Sequence, residues 1–175
     1  MRYSLIYGGI AGAVAVGIVS AMLGLELTSH DETAMLMTYL VMLIALSLIF
    51  VGVKRYRDVE CGGVIRCGRA FLLGLGMAAA AGLFYAVGWE LFQAASGYDF
   101  VGEYSASILE RMRAEGASAA AIEAQAAEMR DFAESYRNPL FRVPMVFVEI
   151  FPVGLLVALI SAALLRNPRV LPARG

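Results

Sequence analysis

The sequence predicts an all-α integral membrane protein: a four-helix bundle with an extramembrane helical hairpin between spans 3 and 4. Three observations support this fold class. First, 60% of the 175 residues are hydrophobic, whereas an average soluble domain is about 45–50% apolar. Second, the apolar residues fall into four long runs with almost no charge. Third, the polar stretch before the last run has helical periodicity. We therefore treat residues 1–175 as a single membrane domain.

Each of the four runs is long enough to cross a membrane as a helix. Residues 3–25, 33–53 and 70–89 contain no charged residue, and residues 143–165 contain only Glu149. A helix needs about 20 residues to cross a hydrocarbon core of about 30 Å. The spans are predicted at about 4–26, 33–53, 70–94 and 142–165. The first run follows Arg2 but is too long for the apolar core of a signal peptide, so we expect it to remain as a span.

Spans 1 and 3 carry small residues at every fourth position. In lipid, helices associate where small side chains let their backbones approach closely. The small residues of span 1 are Gly9, Ala13, Gly17 and Ala21, together with Gly8 and Gly12; those of span 3 are Gly74, Ala78, Gly82 and Ala86. We expect these two faces to pack on each other within the chain. The alternative is that they form the interface of a homo-oligomer. Span 2 is bulky on all sides and can face lipid.

The segment 100–137 predicts the extramembrane hairpin. Its first arm places Val101, Tyr104, Ile108 and Met112 on one stripe, and its second arm does so with Ile122, Met129, Phe132 and Tyr136. Gly116 ends the first arm and Ser118 can cap the second. The two stripes can bury each other or cover the mouth of the bundle. A lid or docking surface is the alternative, and a helix lying on lipid is disfavoured by the acidic polar face.

The distribution of charge predicts the orientation. A basic cluster lies between spans 2 and 3: Lys54, Arg55, Arg57, Arg66 and Arg69. The other two links are acidic, beginning with Glu26 and Asp31 in the first. The positive-inside rule then places both termini and the basic link in the cytoplasm. The cytoplasmic position of this link is enough to explain the basic cluster. It can also bind anionic lipid, and nothing further indicates a nucleic-acid partner.

Two carboxylates inside apolar runs are the candidate proton- or cation-binding residues. A charge within the membrane costs roughly 2.5–3.5 kcal/mol on insertion scales. Glu90 lies about 20 residues into span 3, or ~30 Å at 1.5 Å per residue, and Glu149 lies about 10 Å beyond Arg142. Both therefore belong to the outer half and could meet between spans 3 and 4. The structural alternative places Glu90 at the interface beside Trp89, and pairs Glu149 with an arginine such as Arg142 or Arg137.

No motif predicts an enzyme, a metal site or a cofactor. The sequence lacks a Walker loop, a metalloprotease helix and a nucleophile elbow. Cys61 and Cys67 share one short link, whereas His30 lies on the opposite side of the membrane, so they cannot build a zinc site. We interpret the cysteines as small residues of a tight turn.

The basic link also carries a family resemblance. It reads Gly52-Val53-Lys54-Arg55-Tyr56-Arg57-Asp58, followed by Glu60, Gly62-Gly63, Ile65, Gly68, Ala70-Phe71 and Gly74. The likeness continues in Glu123-Ala124-Gln125, Asn138-Pro139, Glu149-Ile150-Phe151-Pro152 and Leu159-Ile160-Ser161-Ala162. The chain resembles the family catalogued as domain of unknown function 4199, a set of bacterial four-span membrane proteins. The resemblance implies the fold and the membrane location and assigns no activity.

Together these features predict a multi-pass inner-membrane protein with a non-enzymatic, structural or accessory role. The alternative is a small proton- or cation-coupled transporter that uses Glu90 and Glu149. The two functions differ in one structural expectation. A transporter needs the two carboxylates to face each other around a wet cavity, whereas separately paired or lipid-facing carboxylates favour the accessory role.

Overall fold

The computed structural model describes residues 1–24 and 32–172, without the side chains of 32–35. The helices are α1 (Arg2–Gly24), α2 (Glu32–Glu60), α3 (Cys67–Ser96), α4 (Phe100–Ala114), α5 (Ala119–Tyr136) and α6 (Pro139–Leu165). No strand occurs in this described part, so the all-α prediction is confirmed. Glu26, His30 and Asp31 lie outside it, and so do the predictions made for them.

Four of the helices, α1, α2, α3 and α6, are long and apolar enough to cross a membrane. They coincide with the predicted spans, although α2 continues beyond residue 53 to Glu60. The charged residues there remain helical because Lys54 and Asp58, one helical turn apart, form an ion pair of 2.5 Å. The basic link is therefore mostly the last two turns of α2.

The spans pack in the order α1, α3, α6, α2 around the bundle, and α3 makes the most extensive contacts, with α1 on one side and α6 on the other. On α2, Met42, Leu46 and Ile49 are fully buried in the core. The opposite side of α2, including Leu40 and Ile44, is exposed and suited to contact with lipid. The core therefore runs the length of the bundle between four apolar helices.

Helix α1 approaches α3 through Gly8 and Gly12. A Cβ at either position would overlap a backbone carbonyl of α3, that of Met77 or that of Ala81. The predicted contact between spans 1 and 3 is confirmed, but of the series that begins at Gly9 only Gly9 takes part in it, against the Phe84 ring. Ala13, Gly17 and Ala21 are exposed, and a Cβ at Gly17 would meet no atom within 4 Å.

The α3 residues Gly74, Ala78 and Gly82 pack against α6, whereas α1 meets a different face of α3 that includes Ala80 and Ala81. A Cβ at Gly74 would lie 2.8 Å from the Cβ of Ala158, and one at Gly154 would lie 2.9 Å from the Cβ of Ala78. Gly82 is covered by the ring of Phe147. This corrects the expectation that the α3 series faces span 1. Within one chain, α6 already occupies the α3 face that could have formed an oligomer interface.

The hairpin α4–α5 forms as predicted. Asp99 caps α4 by accepting a hydrogen bond from the Gly102 amide at 3.0 Å. Gly116, with φ of 75°, turns the chain in the left-handed region that favours glycine. Ser118 then caps α5 by accepting from the Ala121 amide at 3.2 Å. We call the end of the bundle beneath this hairpin the hairpin end, and the opposite end the terminal end.

At the terminal end, Arg57 is fully buried although it carries a charge. Its guanidinium donates to the carboxylate of Asp58 at 2.7 Å and to the carbonyls of Val170 and Leu171 at 2.9 and 2.5 Å. These carbonyls belong to residues 166–172, which follow α6 and which we call the post-α6 segment. The segment therefore anchors the end of α6 to the end of α2.

A second polar cluster at the terminal end joins α1, α2 and α3. The hydroxyl of Tyr3 donates to Glu60 at 3.0 Å, and its ring lies edge-on against Tyr56. Arg69 donates to the Tyr56 hydroxyl at 2.5 Å. The residues that carry the family resemblance thus hold the helices together at this end.

Candidate functional site

The hairpin end contains an ion pair between α3 and α6. Arg142 donates from Nε and Nη2 to the two carboxylate oxygens of Glu90, each at 2.5 Å. The side chains are only 15% and 25% exposed, respectively. A bidentate pair of this kind has fixed geometry and is stronger than a single-contact ion pair. Glu90 is therefore neutralised by its own chain.

Arg142 also holds the hairpin. Its Nη1 donates to the backbone carbonyl of Tyr136 at 3.2 Å, and its guanidinium lies 5.5 Å from the centre of the Tyr136 ring. Tyr136 ends α5, where the free carbonyls carry partial negative charge that attracts a cation. The Asn138 cap and Pro139 begin α6 one turn before Arg142. The guanidinium therefore connects α3, α5 and α6.

Trp89 lies beneath the hairpin and is only 4% exposed. Its indole N–H donates to the Tyr136 hydroxyl at 2.8 Å, and its ring packs edge-on against Phe100 with 5.5 Å between ring centroids. Burial raises the pKa of the Tyr136 hydroxyl above its ordinary value. The hairpin therefore covers the indole ring, which packs within the protein.

Glu149 has different surroundings. It lies on an exposed part of α6, about two helical turns (~10 Å) beyond Arg142. Among the described residues no hydrogen bond or ion pair of Glu149 is found, and Arg142 is already engaged by Glu90. The structure thus gives one predicted site residue a partner and leaves the other without one.

A cleft of about 730 Å³ lies between the hairpin and the ends of α3 and α6. Its walls combine apolar side chains, such as Val101, Leu109 and Met129, with the Glu90–Arg142 pair. Two further arginines, Arg130 and Arg137, also line it. The volume is in the range of small-molecule sites, about 300–1,000 Å³. Sequence reasoning anticipated a covered bundle mouth but not this cleft, because it depends on contacts between distant helices.

The cysteines are free thiols at the terminal end, far in sequence from the cleft. Cys61 is half-buried and Cys67 is exposed. Over residues 1–24 and 32–172, no group of three His, Cys, Asp or Glu side chains is placed to hold a metal ion.

Comparison with known proteins gives a single finding. A family model described as "Protein of unknown function (DUF4199)" matches residues 2–167. No curated protein and no solved structure matches the chain.

Proposed function

Because the chain belongs to the DUF4199 family, whose description names no activity, we propose a function from its geometry: a non-enzymatic accessory component of a membrane that binds through the cleft at its hairpin end. One observation carries the proposal. The hairpin is fixed to the bundle by Arg142, Trp89 and Tyr136, and yet a cleft of about 730 Å³ remains beneath it. A hairpin that served only to fill the bundle mouth would leave no such space.

Membrane type and orientation are part of the proposal. We place the protein in a bacterial inner membrane, with both termini and the basic end of α2 in the cytoplasm. The support is the charge asymmetry: the link between α2 and α3 is basic, whereas residues 100–137 contain seven acidic residues against four arginines. The cleft then opens on the outer side. An oligomer would have to use other surfaces than the α3 face, such as the exposed Ala13 and Gly17 of α1.

Site-specific photo-crosslinking in cells tests the proposed binding role. A photoreactive amino acid replaces Leu109, which lines the cleft, or Glu123, which is exposed on α5 away from it. We expect adducts of defined mass from position 109 and not from position 123. Equal adduct yields at both positions, or none at either, would contradict a binding cleft.

Proton- or cation-coupled transport is the second candidate, and Glu149 is the observation that favours it. A carboxylate that has no partner and lies about 10 Å along an apolar helix from Arg142 can exchange protons or cations. The test is to melt the parent and Glu149→Gln between roughly pH 5 and 8, with and without divalent cations. Transport chemistry predicts a pH or cation dependence in the parent that the Gln variant lacks. Identical melting of both proteins under all conditions would remove this candidate.

A further inference from the structure

The charged residues of the hairpin are segregated with respect to the cleft. Its acidic side chains are all exposed and none of them lines the cleft: Glu103, Glu110, Glu115, Glu123, Glu128, Asp131 and Glu134. Arg130 and Arg137 are also exposed, but both line the cleft. A hairpin with net negative charge thus presents cations on its inner side.

The acidic groups within the cleft are already engaged. The Glu90 carboxylate is occupied on both oxygens by Arg142, and Asp99 caps α4. Arg130 makes one hydrogen bond, from Nε to the Ala126 carbonyl at 3.1 Å, which leaves both Nη groups for another acceptor. Arg137 has no acidic partner among the described residues. With three arginines against two carboxylates in its lining, the cleft therefore carries one net positive charge beside an apolar wall.

We infer that the cleft binds an anionic phospholipid, with the phosphate at Arg130 and Arg137 and the adjoining apolar part against Leu109 and Met129. This inference rests on the proposed binding role of the cleft and names its ligand class. Arginine fits a phosphate because its planar fork offers several donors to the phosphate oxygens. The apolar wall would remain exposed to water if the ligand were a bare anion.

The position of the cleft favours a ligand from the membrane over a soluble anion. The cleft lies at the ends of the apolar helices α3 and α6. A hydrocarbon core of about 30 Å takes up about 20 residues of a helix, so a span that starts near Ala70 reaches the headgroup level near Glu90, which lines the cleft. The acidic outer surface of the hairpin repels anions that approach from solution. A lipid already in the bilayer does not need to cross that surface.

Trp89 is a built-in probe for the test, since it is the only tryptophan of the chain and contacts Phe100 and Tyr136 of the cleft. The full chain, purified in a nonionic detergent, is titrated with short-chain phosphatidylglycerol while tryptophan emission is recorded. Phosphatidylcholine with the same acyl chains and inorganic phosphate are the comparison ligands. We expect a saturable change with phosphatidylglycerol and binding at least about tenfold weaker for the other two, in line with the strength of charge-assisted hydrogen bonds.

Single variants locate the site. Arg130→Gln and Arg137→Gln should each weaken phosphatidylglycerol binding by about three- to tenfold. Arg113→Gln removes the same charge from the same hairpin, but Arg113 is exposed and does not line the cleft, so this variant should bind like the parent. Raised salt should weaken binding by the parent as well, and this arm requires no variant.

Several results would overturn the inference. Equal binding of phosphatidylcholine would show that the apolar part alone is recognised, and equal binding of inorganic phosphate would identify a soluble anion. Equal loss in the Arg113 variant would indicate a general charge effect. The lipid assignment would also be wrong if no ligand changed the emission and the molecules crosslinked at position 109 were not lipids. That result would leave the binding role of the cleft in place.

Discussion

The side chain of one residue, Arg142, connects the three helices α3, α5 and α6. Its guanidinium binds both oxygens of Glu90, the end of α5 and the face of the Tyr136 ring. Most of its hydrogen-bonding capacity is therefore used, and its side chain is only 15% exposed. The cost of removing one member of such a pair is dominated by the partner charge that remains without compensation.

We expect Arg142→Gln and Glu90→Gln each to lower the free energy of unfolding by about 1–3 kcal/mol, because each leaves a half-buried charge without its partner. The double variant should lose less than the sum, since the two residues share one interaction. Thermal unfolding of the purified protein in detergent measures this, with Arg113→Gln as the surface control. Losses that add fully would contradict a direct pair.

Tyr136→Phe removes the hydroxyl that accepts from Trp89, and the buried indole N–H loses its partner. We expect a loss of about 1–2 kcal/mol at neutral pH. The raised pKa of the Tyr136 hydroxyl adds a pH effect. In the unfolded chain this group ionises near 10.0, before it does so in the folded protein. Its contribution is therefore complete below pH 10 and falls as the pH rises further.

Melting at pH 8 and at pH 10.5 therefore separates the two effects. The parent should lose more stability between these values than Tyr136→Phe, because only the parent has the hydroxyl in question. Equal losses in both proteins would mean that Tyr136 ionises as easily when folded as when unfolded.

At the scale of the element, the contact between α1 and α3 depends on a face that repeats every fourth residue. Gly8 and Gly12 allow the backbones to touch, whereas Gly17 lies on the exposed side of α1. Close approach of this kind gives extensive van der Waals contact, which holds helices together in lipid. A single added side chain on that face therefore separates the two helices over several turns.

Gly12→Leu should destabilise the bundle by about 1–3 kcal/mol or prevent its folding, because the side chain would overlap the Ala81 carbonyl. Gly17→Leu is the matched control and should leave thermal stability nearly unchanged. A milder variant, Gly12→Ala, keeps the comparison measurable if the leucine variant does not fold. Equal stability of the Gly12 and Gly17 variants would mean that α1 does not meet α3 through the face that carries Gly12.

The sequence allowed the elements to be predicted better than their contacts. Uncharged runs identify the spans because charged side chains are costly in lipid. Gly116 and Ser118 identify the hairpin because the turn favours a glycine and the start of α5 favours a capping side chain. Gly8 and Gly9 both begin a series with a spacing of four, so the periodicity alone cannot select the face that meets α3. The partners of Glu90 and Arg57 are distant along the chain, 52 and 113 residues away, and no local pattern encodes them. The cleft is built from such long-range contacts, so the sequence could not predict it either.

At the scale of the whole molecule, the two ends of the bundle differ. The hairpin end has a cleft, exposed acidic helices and an ion pair around a covered tryptophan. The terminal end has the basic residues of α2, packed with tyrosines and the post-α6 segment. This division matches the proposed orientation, in which the cleft faces outward and the basic end faces the cytoplasm.

Cysteine labelling in intact cells tests that orientation. The parent offers Cys67, which is exposed at the terminal end. A variant with Cys61→Ser, Cys67→Ser and Ser118→Cys offers one thiol at the tip of the hairpin. We expect an impermeant maleimide to label the variant in intact cells and the parent only after the membrane is opened. The reverse pattern would invert the topology.

The burial of Arg57 has a consequence for biosynthesis. Its carbonyl partners in the post-α6 segment are translated 113 and 114 residues later, after α3, α4, α5 and α6 have been synthesised. Until then the guanidinium lacks these acceptors. Its complete enclosure is thus a late event that can occur only when the fourth span has been inserted beside α2. A nascent chain halted before that point would hold the Arg57 guanidinium with Asp58 beside it but without its two backbone acceptors.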